Sequence, residues 1–299
     1  MSRYDIAFIG HMCWDEILPF KGETSISAGS AVLCGAMAAA RIGMRTLVVT
    51  KMSVDDDGML SSMRAAGIDV LVIPAAETTY MQVIHPSESP DDRILVQKRN
   101  AGFFLPREIP ELDASCVHLA GVSDREFDLG FVYAMRKRGY SLSCDMQDFV
   151  RQVDPSSGNI SFSGYPGIQE IARAMDRVKL DIVEAEVLTG TRDLEEAARI
   201  VESWGCPEAV ITKAEGALAA REGACFYREF DNRSSVGRTG RGDTTFAGYL
   251  ARRLDHSVPE SLDFACALVS IKMEKPGPFS GRLEDVLERM ERQVPRIKN

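Results

Sequence analysis

The stretch Thr239-Gly240-Arg241-Gly242-Asp243-Thr244-Thr245-Phe246-Ala247-Gly248 is a glycine-rich turn that opens a helical pattern, continued by Tyr249, Leu250 and Leu254. Such a turn gathers unpaired backbone N–H groups at a helix N-terminus, where the helix dipole also favours negative charge. The nest suits a phosphate, or the charge on a phosphoryl group in transfer. A carboxylate beside a bound anion is repelled unless it has chemistry to do, and accepting a proton from an attacking hydroxyl is such chemistry. From the residues alone, Asp243 fits that role or the plainer one of an N-terminal helix cap.

Apolar runs alternate with helical patterns along most of the chain. Strands are expected at 5–10, 45–52, 69–74, 116–121, 140–145, 180–185 and 208–213, most of them too continuously apolar for a half-exposed sheet. Helices are expected near 31–42, 57–66, 127–138, 168–178, 193–204, 243–254, 259–274 and 282–293. This alternation predicts an α/β fold, three layers with a mostly parallel central sheet between helices, and ligands at the carboxyl ends of the strands. Residues 78–104 break the pattern as two β-rich runs around a Pro/Ser/Asp turn at 85–92, a candidate lid that would keep water from a phosphoryl group. The organisation expected is one domain over 1–299, with a small β lid formed by about 15–28 and 78–104.

The 299 residues are 45% hydrophobic, enough for a large core, and carry a net charge of −9. That charge argues against nucleic acid or an anionic membrane as partner. The longest apolar run, Ala31 to Ala40, is half a membrane span. Seven cysteines without a C-x-x-C pair suit a reducing cytoplasm, the location expected here. The turn after the first strand, Gly10-His11-Met12-Cys13-Trp14-Asp15, lacks G-x-G-x-x-G, and no G-x-x-x-x-G-K-[ST] occurs. Dinucleotide and P-loop sites are thereby disfavoured. His11 stands where it would touch substrate, His118 reads as core, and Asp55-Asp56-Asp57 reads as helix capping. Tyr80, Phe103 and Phe104 fit either stacking on a ring or packing within a hairpin.

With these residues placed, the chain resembles the ribokinase-like (PfkB) carbohydrate and nucleoside kinases over nearly its full length. Residues 239–250 are similar to that family's D-T-T-G-A-G-D signature. The resemblance implies Asp243 as catalytic base and the amides of Gly240, Arg241 and Gly242 as an anion hole. It implies an acceptor site at Asp15, Gly29 and Ser30, with Cys34 at the position of a sugar-binding asparagine. Thr212, Lys213 and Gly216 in Ile211–Ala219, together with Thr239, are implied for ATP, the T-x-G-x-x-G nucleotide turn being one residue short. Glu186 is implied to organise Mg²⁺, Val183 standing for the asparagine of N-x-x-E. Gly237 replaces the first aspartate of the signature, at odds with the monovalent-cation site of some members. The expected activity is ATP-dependent phosphorylation of a small polyhydroxylated acceptor: sugar, sugar acid, inositol or nucleoside. A sugar- or nucleotide-binding sensor that has lost catalysis is the competing reading, and an intact G-x-G-D turn weighs against it. The lid hairpin offers an edge for pairing with a second subunit.

Overall fold

Valine, isoleucine and alanine runs flanked by helices bury both faces of a strand, and a nine-stranded mixed sheet results in the computed structural model, which describes residues 4–88 and 93–293. The chain begins β1 (Tyr4–Ile9), β2 (Cys13–Leu18), β3 (Ser25–Gly29), α1 (Ala31–Arg41) and β4 (Thr46–Met52). A 3₁₀ segment over 54–60 leads to α2 (Ser61–Ala65), β5 (Asp69–Pro74), β6 (Thr79–Ile84), β7 (Ile94–Arg99) and β8 (Ala114–Leu119). There follow α3 (Leu129–Lys137), β9 (Leu142–Asp145), α4 (Gln147–Val150), β10 (Arg151–Val153), β11 (Ile160–Phe162) and α5 (Ile168–Ala174). The last part holds β12 (Arg177–Asp181), α6 (Ile182–Thr189), α7 (Leu194–Ser203), β13 (Glu208–Thr212), β14 (Gly216–Arg221) and β15 (Ala224–Glu229). It closes with α8 (Arg241–Arg252), α9 (Val258–Met273) and α10 (Leu283–Gln293).

The large sheet has the order β15-β14-β13-β12-β9-β8-β1-β4-β5, parallel from β13 to β5 and antiparallel at β14 and β15. Strand alternation divides its side chains between two cores. Ile6 and Phe8 face α1, α8 and α9, packing with Phe246, Tyr249 and Leu268. Ala7 and Ile9 face the opposite layer with Phe131, Ile171 and Val201. His118 lies in the core as expected, edge-on to Phe8 and Phe246. A second, four-stranded sheet, β3-β2-β6-β7, stands over the carboxyl ends of the large one, and only its β2–β6 pair is parallel. Part of the 85–92 turn, residues 89–92, lies outside the described residues. No helix among the described residues is long and apolar enough to cross a membrane.

One expectation changes, and two pairings were not anticipated. The strand expected at 180–185 ends at Asp181, whose side chain accepts from the amides of Val183 and Glu184, both at 2.8 Å, and so starts α6. The apolar pair Ile182-Val183 is therefore helical, because the cap outweighs its β preference. The segment 216–229 is a hairpin closed by Glu222 and Gly223, both at positive φ (53° and 78°), the geometry of a type I′ turn. The polar segment 154–167, rich in Gly, Ser and Pro, includes β11, which pairs with β10.

Candidate active site

Three chain segments meet where the small sheet faces the carboxyl ends of the large one. β2 brings Asp15, β3 brings Gly29, and the N-terminus of α8 brings Asp243. Asp15 lies so close to Gly29 that a Cβ there would fall 1.8 Å from its Oδ2. Burial and the negative charge of Asp243 push Asp15 up to about 6, with Arg151 pulling the other way. Asp243 is itself raised, by burial and by Asp145, against the opposing charges of Lys179, Arg151 and Lys272. Two buried carboxylates of raised pKa, neither hydrogen-bonded to a cation among the described residues, make an arrangement suited to handling hydroxyl protons.

Gly240 caps α8 at φ 75°, a left-handed conformation that glycine adopts without steric cost, and a Cβ would meet Cys34 Sγ at 2.4 Å. Arg241 N donates to Arg238 O at 3.1 Å and Thr244 N to Gly240 O at 3.0 Å. The Arg241 amide, expected in the anion hole, is thus part of the turn itself. The amides of Gly240, Gly242 and Asp243 are not taken up in this way and are the ones open to an anion. Against Gly242 lies Lys179, whose Nζ would be 2.8 Å from a Cβ there. Lys179 is buried and donates to Asp145 at 2.9 Å. Burial alone would lower its pKa; Asp145, Glu184 and Asp181 more than offset this and keep it charged.

The other expected residues divide. Cys34 packs behind Gly240, its thiol pushed up to about 12 by burial and by Asp243, so it contributes shape rather than a charge. Ser30 accepts from Leu33 N at 3.0 Å as the cap of α1, leaving its backbone, not its hydroxyl, for an acceptor. Thr212 is buried at the end of β13, Gly216 begins β14, and Lys213 lies over the Tyr227 ring at 5.1 Å. Thr239 is exposed just before the turn. Glu186 is not brought to the cluster: it lies on the open side of α6, ion-paired with Arg192 at 2.8 Å. Residues two apart on a helix do not share a face, and the acid turned inward is Glu184, fully buried, with Oε1 lacking any partner and Oε2 accepting from Asp181 N at 2.7 Å. Val183 is likewise exposed, whereas Asp181-x-x-Glu184 carries the N-x-x-E spacing two residues earlier. That spacing was the signal that would have found Glu184.

Sequence reading also passed over Arg151. It stands at the α4–β10 junction, its charge acts on Asp15, Asp148, Glu184 and Asp243, and its Nε is buried without a hydrogen-bond partner. A guanidinium held among carboxylates without bonding to any is placed for a ligand anion. His11, expected to touch substrate, is instead fully buried and neutral, its pKa lowered to about 3 by burial. Its Nε2 donates to Gly102 O at 3.0 Å, and its Nδ1 accepts from Thr79 Oγ1 at 2.8 Å. Phe104 is buried on Phe127 and cannot stack on a ligand. A cleft of about 590 Å³ lies at the opposite, amino end of the large sheet, lined by Arg136, Asp176, Arg177, Glu208 and Arg221. Its charges pair with one another (Arg136 with Asp176, Arg177 and Arg221 with Glu208), so it lacks the free groups found at Asp243.

A three-layer sheet sandwich with a small β-sheet over a G-x-G-D turn is the arrangement of a sugar or nucleoside kinase. The pfkB family of carbohydrate kinases matches residues 16–284, and the chain belongs to it. A cytidine kinase of Thermococcus kodakarensis is 25% identical over 260 residues, 83% of this chain and 87% of that protein. A sulfate complex of a pyrophosphate-dependent kinase in the ribokinase family superposes with a TM-score of 0.88 at 31% identity, covering 95% of this chain and 99% of the other. A pyrophosphate-dependent kinase of that family, complexed with a pyrophosphate analog and myo-inositol, superposes at 0.86 and 29% identity, covering 95% and 99%.

Proposed function

We propose that this kinase moves a phosphoryl group onto a hydroxyl of a small polyol of the inositol type, with Asp243 as base. The observation that carries the reading is the pairing of Asp15 and Asp243 across the mouth between the two sheets. Asp15 would accept hydrogen bonds from vicinal hydroxyls and orient one of them toward Asp243. Asp243 would take that hydroxyl's proton as the oxygen attacks phosphorus, while the nest amides and Arg151 receive the charge on the transferred group. Closing the small sheet over the acceptor would exclude water.

We take pyrophosphate as the donor, with ATP as the alternative that the family resemblance supports. The turn expected to hold a nucleotide is one residue short, and Lys213 lies there against Tyr227. The neighbours at 31% and 29% identity are described as pyrophosphate-dependent. Mg²⁺ fits through Glu184, whose unpartnered Oε1 suits a magnesium-bound water, and the ion would neutralise the phosphates of either donor. An inositol reading is preferred to a nucleoside one because the neighbour at 29% identity is complexed with myo-inositol, and because Phe104, one of three aromatic candidates for base stacking, is turned into the core.

The test measures phosphorylated product with pyrophosphate or ATP across inositols, sugars and nucleosides, with Asp243→Asn alongside. Inositol phosphorylation by pyrophosphate that vanishes in Asp243→Asn is the expected result. Turnover confined to ATP and cytidine would replace this reading with the nucleoside one. Binding of acceptor without turnover on any donor would favour the sensor.

A further inference from the structure

The loop that carries the glycine turn is anchored from behind. Gly237 N donates to Met273 O at 2.8 Å at the end of α9, and the Lys272 ammonium donates to the carbonyls of both Gly237 and Thr239. Lys272 is only 2% exposed. Its acceptors are carbonyl oxygens, not a carboxylate, and the ionisable groups whose charge acts on it are Cys34 and Asp243. A buried ammonium without a bonded counter-charge is costly to hold, and burial lowers its pKa here. Its place gives a reason for that cost. The Thr239 carbonyl and the Gly240 N–H belong to one peptide group, and a carbonyl drawn to a cation on one side aims and polarises its N–H on the other. The Gly240 N–H leads the anion nest.

The same packing explains the departure at position 237. A Cβ there would fall 1.8 Å from Lys275 O and 2.8 Å from Lys272 O, so neither an aspartate nor any other side chain fits while the loop sits on α9. Loss of the side chain at 237 and arrival of an ammonium on its carbonyl are two parts of one arrangement.

We infer that Lys272 is the built-in cation of the phosphoryl site: a positioning residue that binds the carbonyls of the 237–239 loop as a small monovalent cation would, presents the Gly240 amide, and frees transfer from any need for potassium. The inference rests on the 240–243 turn being the phosphoryl site, as proposed above.

The first arm needs no substrate. Melting of wild-type protein in potassium, ammonium, sodium and tetramethylammonium chlorides should show no potassium-selective shift. Lys272→Ala, which vacates the ammonium's place, should gain a shift selective for ammonium or ethylammonium. In the second arm, turnover of Lys272→Met should fall on the order of tenfold to a hundredfold in kcat, with acceptor KM little changed. Lys272→Ala should recover part of its loss with ethylammonium. Wild-type turnover or melting that requires potassium would overturn the inference, and so would Lys272→Met with undiminished kcat. Should Lys272→Ala fail to fold, the wild-type cation series still decides. If no donor and acceptor pair gives turnover, the proposed function falls while the melting arm judges Lys272 separately.

Discussion

Asp15 and Gly29 are one structural unit, because the carboxylate occupies the space that a side chain at 29 would need. Gly29→Ala would push Asp15 off its position, and we expect acceptor KM to rise far more than kcat falls, read from steady-state kinetics. With its pKa near 6, Asp15 loses its charge as pH falls through that value. Acceptor kcat/KM should therefore decline below about pH 6, and Asp15→Asn should flatten that limb. Stability follows the same shift with a definite sign. The folded state holds the Asp15 proton to a higher pH than the unfolded chain, whose value is 3.8, so its contribution is lost as pH rises through about 6. Thermal melts of Asp15→Asn should show a higher Tm than wild type at neutral pH, with the difference closing toward about pH 4. Asp243→Asn should lower turnover on the order of a hundredfold or more with the fold kept. Neighbouring residues yield less directly to pattern reading. Glu184 and Glu186 are equally acidic in sequence, and only the start of α6 at the Asp181 cap decides which turns inward.

Among elements, the small sheet is tied to the large one through His11. Its ring joins the turn after β1 to Thr79 at the root of β6 and to Gly102 beyond β7, and Thr79 Oγ1 also accepts from Ala101 N at 3.0 Å. Glu126 completes the node by accepting from His11 N at 2.8 Å and Val122 N at 2.7 Å. Both roots of the β6–β7 hairpin thus pivot on one neutral imidazole. His11→Ala should speed amide exchange over 79–84 and 94–102 and raise acceptor KM, with the exchange of β8 and β9 unchanged. If exchange rose uniformly across the large sheet, His11 would be a core residue only. A histidine after a first strand looks like a substrate ligand in sequence, since nothing local shows that Thr79 and Gly102 arrive on either side of it.

For the whole molecule, the two ends of the large sheet differ in how their charges are paired. At the amino end, Glu208 is buried with Arg177 at 3.1 Å, Arg253 at 3.0 Å, Arg221 at 3.3 Å and Tyr249 Oη at 2.8 Å. Burial would raise its pKa, yet the Arg253 hydrogen bond, Arg177 and Tyr249 bring it below the usual carboxylate range. The group's pKa is depressed, so this stabilisation is present above the unfolded value and fades as pH falls. Glu208→Ala leaves partly buried arginines unpaired and should cost about 3 kcal/mol in denaturant unfolding, with kinetics of the surviving enzyme near wild type. At the carboxyl end the polarity is reversed: carboxylates with raised pKa values, an arginine without a hydrogen-bonded partner and a left-handed glycine are held at a cost that ligand binding would offset.

By itself the sequence determined the α/β alternation, the glycine turn before α8, and the presence of a β insertion, because each is a local pattern of side-chain period or turn chemistry. It also carried the family resemblance, since Asp243 and its glycines are contiguous. Only the tertiary structure decided that Glu184 and not Glu186 faces the cluster, that Arg151 and Lys272 join it, that the Arg241 amide is taken up by its own turn, and that His11 is buried between Thr79 and Gly102. Those outcomes depend on groups as far apart in the chain as Asp15 and Asp243, or Gly237 and Lys272. Burial, charge coupling and hydrogen bonding act through space, and a one-dimensional pattern contains no distances across the fold.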